Sequence, residues 1–153
     1  MSWQGAGWAL GLLAAAFVAL PATALAKVVL WSSMKGRVLL NGQPATGAVL
    51  VRTCDWAWGN KEFSDRVTAG AEGEFAFPAI LGRMVLGTLL PHEPVIEQAT
   101  VVEYQGMSYR AWNSFRRGYR HDSENDGRPI DVACRPDAER AQHGRVVGLC
   151  VCE

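Results

Sequence analysis

The sequence holds little for chemistry that needs a strong charge, a metal or a nucleophile. Its 153 residues carry 15 Lys and Arg against 15 Asp and Glu, so the net charge is zero. A neutral chain gives no general attraction to nucleic acid, and none is expected as a partner. Only three histidines are present, His92, His121 and His143, and they stand singly. There is no G-x-S-x-G elbow and no H-E-x-x-H pair. An enzymatic role is therefore not expected, and no catalytic residue is assigned. Its cysteines lack the C-x-x-C spacing of a zinc knuckle, so no metal and no cofactor are expected.

Charge is also missing from the first 26 residues. The run Trp8–Leu20 is almost wholly apolar, Pro21 interrupts it, and Ala24-Leu25-Ala26 places small residues where signal peptidase reads. Residues 1–26 are expected to form a cleavable signal peptide, and residues 27–153 a single domain in the periplasm or outside the cell. The competing reading is a retained anchor, because the run approaches the roughly 18 residues of a membrane span. Pro21 and the small-residue site argue against it, and no stable span is expected after cleavage.

In an oxidising compartment the four cysteines Cys54, Cys134, Cys150 and Cys152 read as two disulfides. Cys150 and Cys152 sit two apart in an apparent strand, so they face the same side. Pairing them with each other would strain the chain. One is expected to take Cys54 and the other Cys134, which leaves two connectivities open.

The rest alternates short β-prone runs with turn residues. Gly36–Leu40 reads as a strand ended by the tight-turn dipeptide Asn41-Gly42. Ala48–Asp55 alternates, with Val49, Val51 and Thr53 on one face and Leu50, Arg52 and Cys54 on the other. Phe63–Ala69 and Glu74–Phe77 read as a hairpin, and Pro78–Pro94 as a loop crossing between sheets. Glu97–Tyr104 and Met107–Phe115 form the clearest hairpin, turning at Gln105-Gly106. Arg116–Pro129 reads as a long polar loop, Ile130–Cys134 as a short strand, Pro136–Gln142 as a helical turn and Arg145–Cys152 as a closing strand. About seven strands with almost no helix point to an all-β, Ig-like or transthyretin-like antiparallel β-sandwich.

One stretch carries a resemblance. Lys35-Gly36-Arg37-Val38, Asn41-Gly42-Gln43-Pro44 and Gly47-Ala48-Val49-Leu50-Val51, followed by Glu72-Gly73-Glu74-Phe75-Ala76-Phe77-Pro78, resemble carboxypeptidase regulatory-like domains. The likeness covers Lys35–Ala79, while the remainder looks like an uncharacterised bacterial cell-envelope branch. It implies a transthyretin-like sandwich of a mostly non-catalytic kind, and no catalytic residues carry over.

Three segments are candidates for binding. Tyr109–His121 holds four arginines and four aromatics, a composition suited to an interface. Arg110, Trp112, Arg116, Arg117, Tyr119 and Arg120 are expected to form a contact surface. Trp56 and Trp58, two apart, are expected to share a side and add a secondary platform. Asp122–Gly127 has acids at alternate positions, but Ala133 stands where a calcium loop needs its last ligand, so a solvated acidic loop is expected. The expected role is that of an exported binding protein, foremost a periplasmic immunity protein that neutralises a secreted toxin. The alternative is a cell-envelope module that binds glycan or another envelope protein.

Overall fold

The computed structural model describes residues 26–84 and 92–153. The expected signal peptide lies outside the described residues, except for Ala26, which opens the first strand. No helix among the described residues is long and apolar enough to cross a membrane. The strands in chain order are β1 (Ala26–Trp31), β2 (Met34–Leu40), β3 (Gln43–Pro44), β4 (Val49–Trp56), β5 (Lys61–Thr68), β6 (Glu74–Phe77) and β7 (Ile80–Met84). They continue as β8 (Ile96–Tyr104), β9 (Met107–Arg116), β10 (Ile130–Cys134), β11 (Ala141–His143), β12 (Val146–Gly148) and β13 (Cys150–Cys152).

These strands form an all-β sandwich. One sheet runs β11-β12-β9-β8-β4-β5. The facing sheet runs β13-β10-β2-β3, with β6 also paired to β2, and β1 and β7 make a separate ribbon. Alternation explains why both sheets bury one face. In β4, Leu50, Arg52, Cys54 and Trp56 point inward, and in β8 so do Ile96, Gln98, Thr100 and Val102. They meet Leu30, Trp31, Val38, Phe77 and Val132 in one continuous core.

The turn dipeptides behave as expected. Asn41-Gly42 and Gln105-Gly106 all take positive φ (52°, 73°, 50° and 75°), the geometry of a tight hairpin turn. Elsewhere the chain is cut more finely than the expected seven strands. β5 and β6 do not form a hairpin: β5 pairs with β4 and β6 with β2, so the chain changes sheets at Gly70–Gly73. β7 lies within the segment expected to be a loop and pairs with β1. There is no helical turn over Pro136–Gln142, because Ala141–His143 instead pairs with Val146–Gly148.

The expected single closing strand is two. β12 extends the six-stranded sheet beside β9, and β13 joins the other sheet beside β10. The switch falls at Gly148-Leu149, where a Cβ on Gly148 would lie 2.1 Å from the Ala111 carbonyl oxygen. One pairing is parallel, β10 with β2. The long segment before β10 supplies the crossover that a parallel neighbour needs.

One disulfide is present, Cys134–Cys150, and it ties directly opposed residues of β10 and β13. This agrees with one of the two expected connectivities. The second expected bridge is absent: Cys54 and Cys152 are free thiols. Cys54 lies on β4 of one sheet and Cys152 on β13 of the other, so the core separates their strands. Burial pushes the Cys54 thiol up to about 12, against the partial lowering by Arg52 and Arg116.

Candidate functional site

Inside the sandwich, polar side chains form two compact arrangements. Arg52 is fully buried on β4. Its Nε and Nη2 donate to the two carboxylate oxygens of Asp65 at 2.9 and 2.6 Å, and Nη2 also donates to the Pro78 carbonyl at 2.7 Å. The guanidinium lies 4.4 Å from the Phe77 ring centroid and 5.0 Å from that of Trp31. A bidentate carboxylate and two aromatic faces replace the water this cation gives up.

The second arrangement centres on Glu124. The loop after β9 turns its carboxylate inward, so that its side chain is fully buried. Arg116 Nη1 donates to Glu124 Oε1 at 2.7 Å, and Gln98 Nε2 donates to the same oxygen at 3.0 Å. From the β1–β2 connection, the Ser32 amide donates to Oε1 at 3.0 Å and the Ser32 hydroxyl to Oε2 at 2.9 Å. The Ser32 hydroxyl oxygen accepts from the Asp122 amide at 2.8 Å, and Arg116 Nη2 donates to the Arg120 carbonyl. A buried ion pair is a poor source of net stability, but breaking it is costly. Here it fixes the path of the loop over residues 117–129.

That loop meets two others at one end of the sandwich. The Trp56 indole N–H donates to the Tyr119 hydroxyl at 3.1 Å, and His92 Nε2 lies 3.1 Å from the same oxygen. Trp58 stacks on His92, with ring centroids 4.1 Å apart and planes 21° apart. Trp56 meets Tyr119 edge-on at 6.2 Å. Arg117 donates to Glu93 at 3.0 Å across the rim. Burial raises the Tyr119 hydroxyl pKa, and the Trp56 hydrogen bond offsets part of that rise.

The two indoles have separate duties because β4 ends at Trp56. Trp56 is the last inward residue of the strand and is buried. Gly59 lies flat on its ring, where a Cβ would come within 2.2 Å of Cε3. The chain turns at once, and Trp58 is left 44% exposed. Phe115 and Val95 are exposed at the same end, where Glu97 pairs with Phe115 and the Ala57 amide donates to the Val95 carbonyl. Trp58, His92, Glu93, Arg117 and Tyr119 thus form one aromatic surface rimmed by an ion pair.

The structure redistributes the expected contact residues. Arg117 and Tyr119 reach this surface with Trp58, but Trp112 and Arg116 are buried and cannot touch a partner, and Trp56 supports the surface from beneath. Arg110 faces solvent on the six-stranded sheet, opposite Val101 and away from this end. Arg120 is exposed on another side of the loop. The acidic loop is not simply solvated, since its central carboxylate is the buried Glu124. His92 and Glu93 join the surface although neither is among the residues expected there. The signal in the sequence that could have found them is a histidine and a glutamate set between two prolines, Pro91 and Pro94.

No group of three or more His, Cys, Asp or Glu that could hold a metal ion occurs among the described residues. No curated protein matches the chain. Among solved structures it is similar to an alternative pilotin from the type II secretion system of Vibrio cholerae, at 13% identity and a TM-score of 0.32, over 67% of this chain and 95% of that one. A family model described as "Domain of unknown function (DUF6795)" matches residues 34–139. That match spans β2 to the turn after β10, most of the sandwich, and the chain belongs to this family.

Proposed function

We propose that the domain is an exported, non-catalytic binding protein that engages a protein partner through the surface of Trp58, His92, Tyr119 and Arg117. The observation that carries this reading is the convergence of three distant segments on one rigid aromatic end, over a loop held by a buried ion pair. Preorganised aromatics beside a charged rim are the composition of interface anchors. A saccharide platform is less well served, because His92 already covers one face of Trp58 and Trp56 is buried. The disulfide supports an oxidising compartment, in the periplasm or outside the cell.

Neutralisation of a secreted toxin is the finer form of this proposal, and an envelope accessory role is the other. Kinship with carboxypeptidase regulatory-like domains belongs to the same proposal; its support is the set of motifs over Lys35–Ala79, with no catalytic residues implied. The deciding experiment is a crosslinked capture of the oxidised mature protein from its own cell envelope, with bound proteins identified by mass spectrometry. A stoichiometric partner that is toxic when made without this chain supports neutralisation. A non-toxic envelope protein supports the accessory role. Recovery of glycan alone contradicts a protein interface.

A further inference from the structure

The loop that offers Tyr119 to the aromatic surface carries Arg120 on another side, and a separate recess lies there. Arg120, Ser123, Asp126 and Gly127 line a cavity of about 220 Å³ together with Arg145, from the turn between β11 and β12. Among the described residues, neither guanidinium makes a salt bridge. Two cations are therefore directed into one small polar recess without a protein counter-charge bonded to either.

The recess is built rather than incidental. Gly127 has φ +85°, and a Cβ there would lie 3.0 Å from Arg120 Nη2, so the guanidinium rests against bare backbone. The Gly127 and Asn125 amides both donate to the Asp122 carbonyl, at 2.7 and 3.1 Å, which closes a tight turn around Ser123. Asp122 and Asp126 are both left-handed, at φ 54°. Glu124, between them, is fixed in the core by Arg116, so the lining is preorganised from below.

The chemistry of the lining selects a class of ligand. Guanidinium forks suit a phosphate, and the Ser123 hydroxyl can add a third donor. Asp126 is acceptor-only when ionised; it repels a bare anion but accepts from a hydroxyl. A cavity of about 220 Å³ is below the usual size for drug-like ligands, which begins at roughly 300 Å³. We propose that this recess binds a phosphate monoester with a neighbouring hydroxyl, the chemistry of a phosphorylated sugar unit. Arg120, Arg145 and Ser123 hold the phosphate, and Asp126 accepts the hydroxyl. This site is separate from the aromatic surface and does not rest on its having a protein partner.

Glucose 1-phosphate, inorganic phosphate and glucose are suitable probes, titrated by heteronuclear NMR into the oxidised mature protein. Saturable shifts at Ser123, Gly127 and Arg145 are expected with glucose 1-phosphate and none with glucose. Arg120→Gln and Arg145→Gln, both exposed and outside the core, each weaken binding about tenfold or more, the loss of a charge-assisted hydrogen bond. Asp126→Gly, which suits the left-handed φ of 54° at this position, weakens glucose 1-phosphate but strengthens inorganic phosphate, because it removes repulsion along with the hydroxyl acceptor. Co-sedimentation with vesicles bearing a phosphorylated glycolipid, lost in Arg145→Gln, would assign the sugar phosphate to a membrane lipid; binding of the free ester alone would assign a soluble one. Absence of saturable binding, affinity unchanged by both arginine variants, or Asp126→Gly strengthening both phosphates would overturn the proposal.

Discussion

Arg52, Arg116 and Glu124 occupy positions that strand alternation and loop closure turn inward, where ions are ordinarily excluded. Arg52 is held by Asp65 and the Pro78 carbonyl, Arg116 by Glu124, and Glu124 also by Ser32 and Gln98, so each exposes the structure to a large single-residue effect. Glu124→Gln leaves Arg116 buried without a counter-charge and is expected to cost about 3–5 kcal/mol, read as a lowered urea midpoint. Arg116→Met combined with Glu124→Leu should cost clearly less than the two single changes added together. An effect of Glu124→Gln no larger than that of an ordinary surface substitution would contradict the buried pair. Arg116→Glu would put two carboxylates together in the core, so it tests folding and not partner binding.

Cys54 gives a pH signature at the same scale. Its thiol is pushed up to about 12 from an ordinary 9.0, chiefly by burial. The unfolded chain gives up this proton near pH 9, while the folded chain keeps it. The unfolded state then binds fewer protons, so this contribution to stability is full below about pH 9 and is lost as the pH rises towards about 12. Cys54→Ala should flatten the fall of the denaturation midpoint over that window. Alkylation of the native protein should modify Cys152, which is partly exposed, well before Cys54.

Among the elements, β8 and β9 were legible because their alternation and the Gln105-Gly106 turn are local signals. Sheet membership was not. β5 and β6 look like a hairpin in sequence, since alternation is the same whichever strand lies alongside. The split of the last strand at Gly148-Leu149 was hidden for a related reason: the contact that forces it is with Ala111, far away in the chain. The disulfide closes the β10–β13 end over a separation of 16 residues. Cys150→Ala is expected to cost about 3 kcal/mol by the loop-entropy argument. Wild type with and without reductant should show the same difference in denaturation midpoint.

Over the whole molecule, the sandwich and its buried face could be read from composition and turns, but the aromatic surface at its end could be read only in part. Arginines and aromatics drew attention to the loop after β9, yet where each side chain points depends on Glu124, whose partner Ser32 is 92 residues away. Trp56 and Trp58 separate because a strand ends between them, and His92 enters only when the fold closes. What results is a rigid end with Trp58 outermost, backed by Tyr119 and a buried indole.

The most direct test of this surface compares wild type with the Trp58→Ala, Arg117→Glu double variant in the envelope capture experiment. Both side chains are exposed, so circular dichroism and thermal unfolding should match wild type. The account predicts that a stoichiometric partner captured by wild type is lost from the variant. Capture of the same partner in equal amount by a normally folded variant would contradict it.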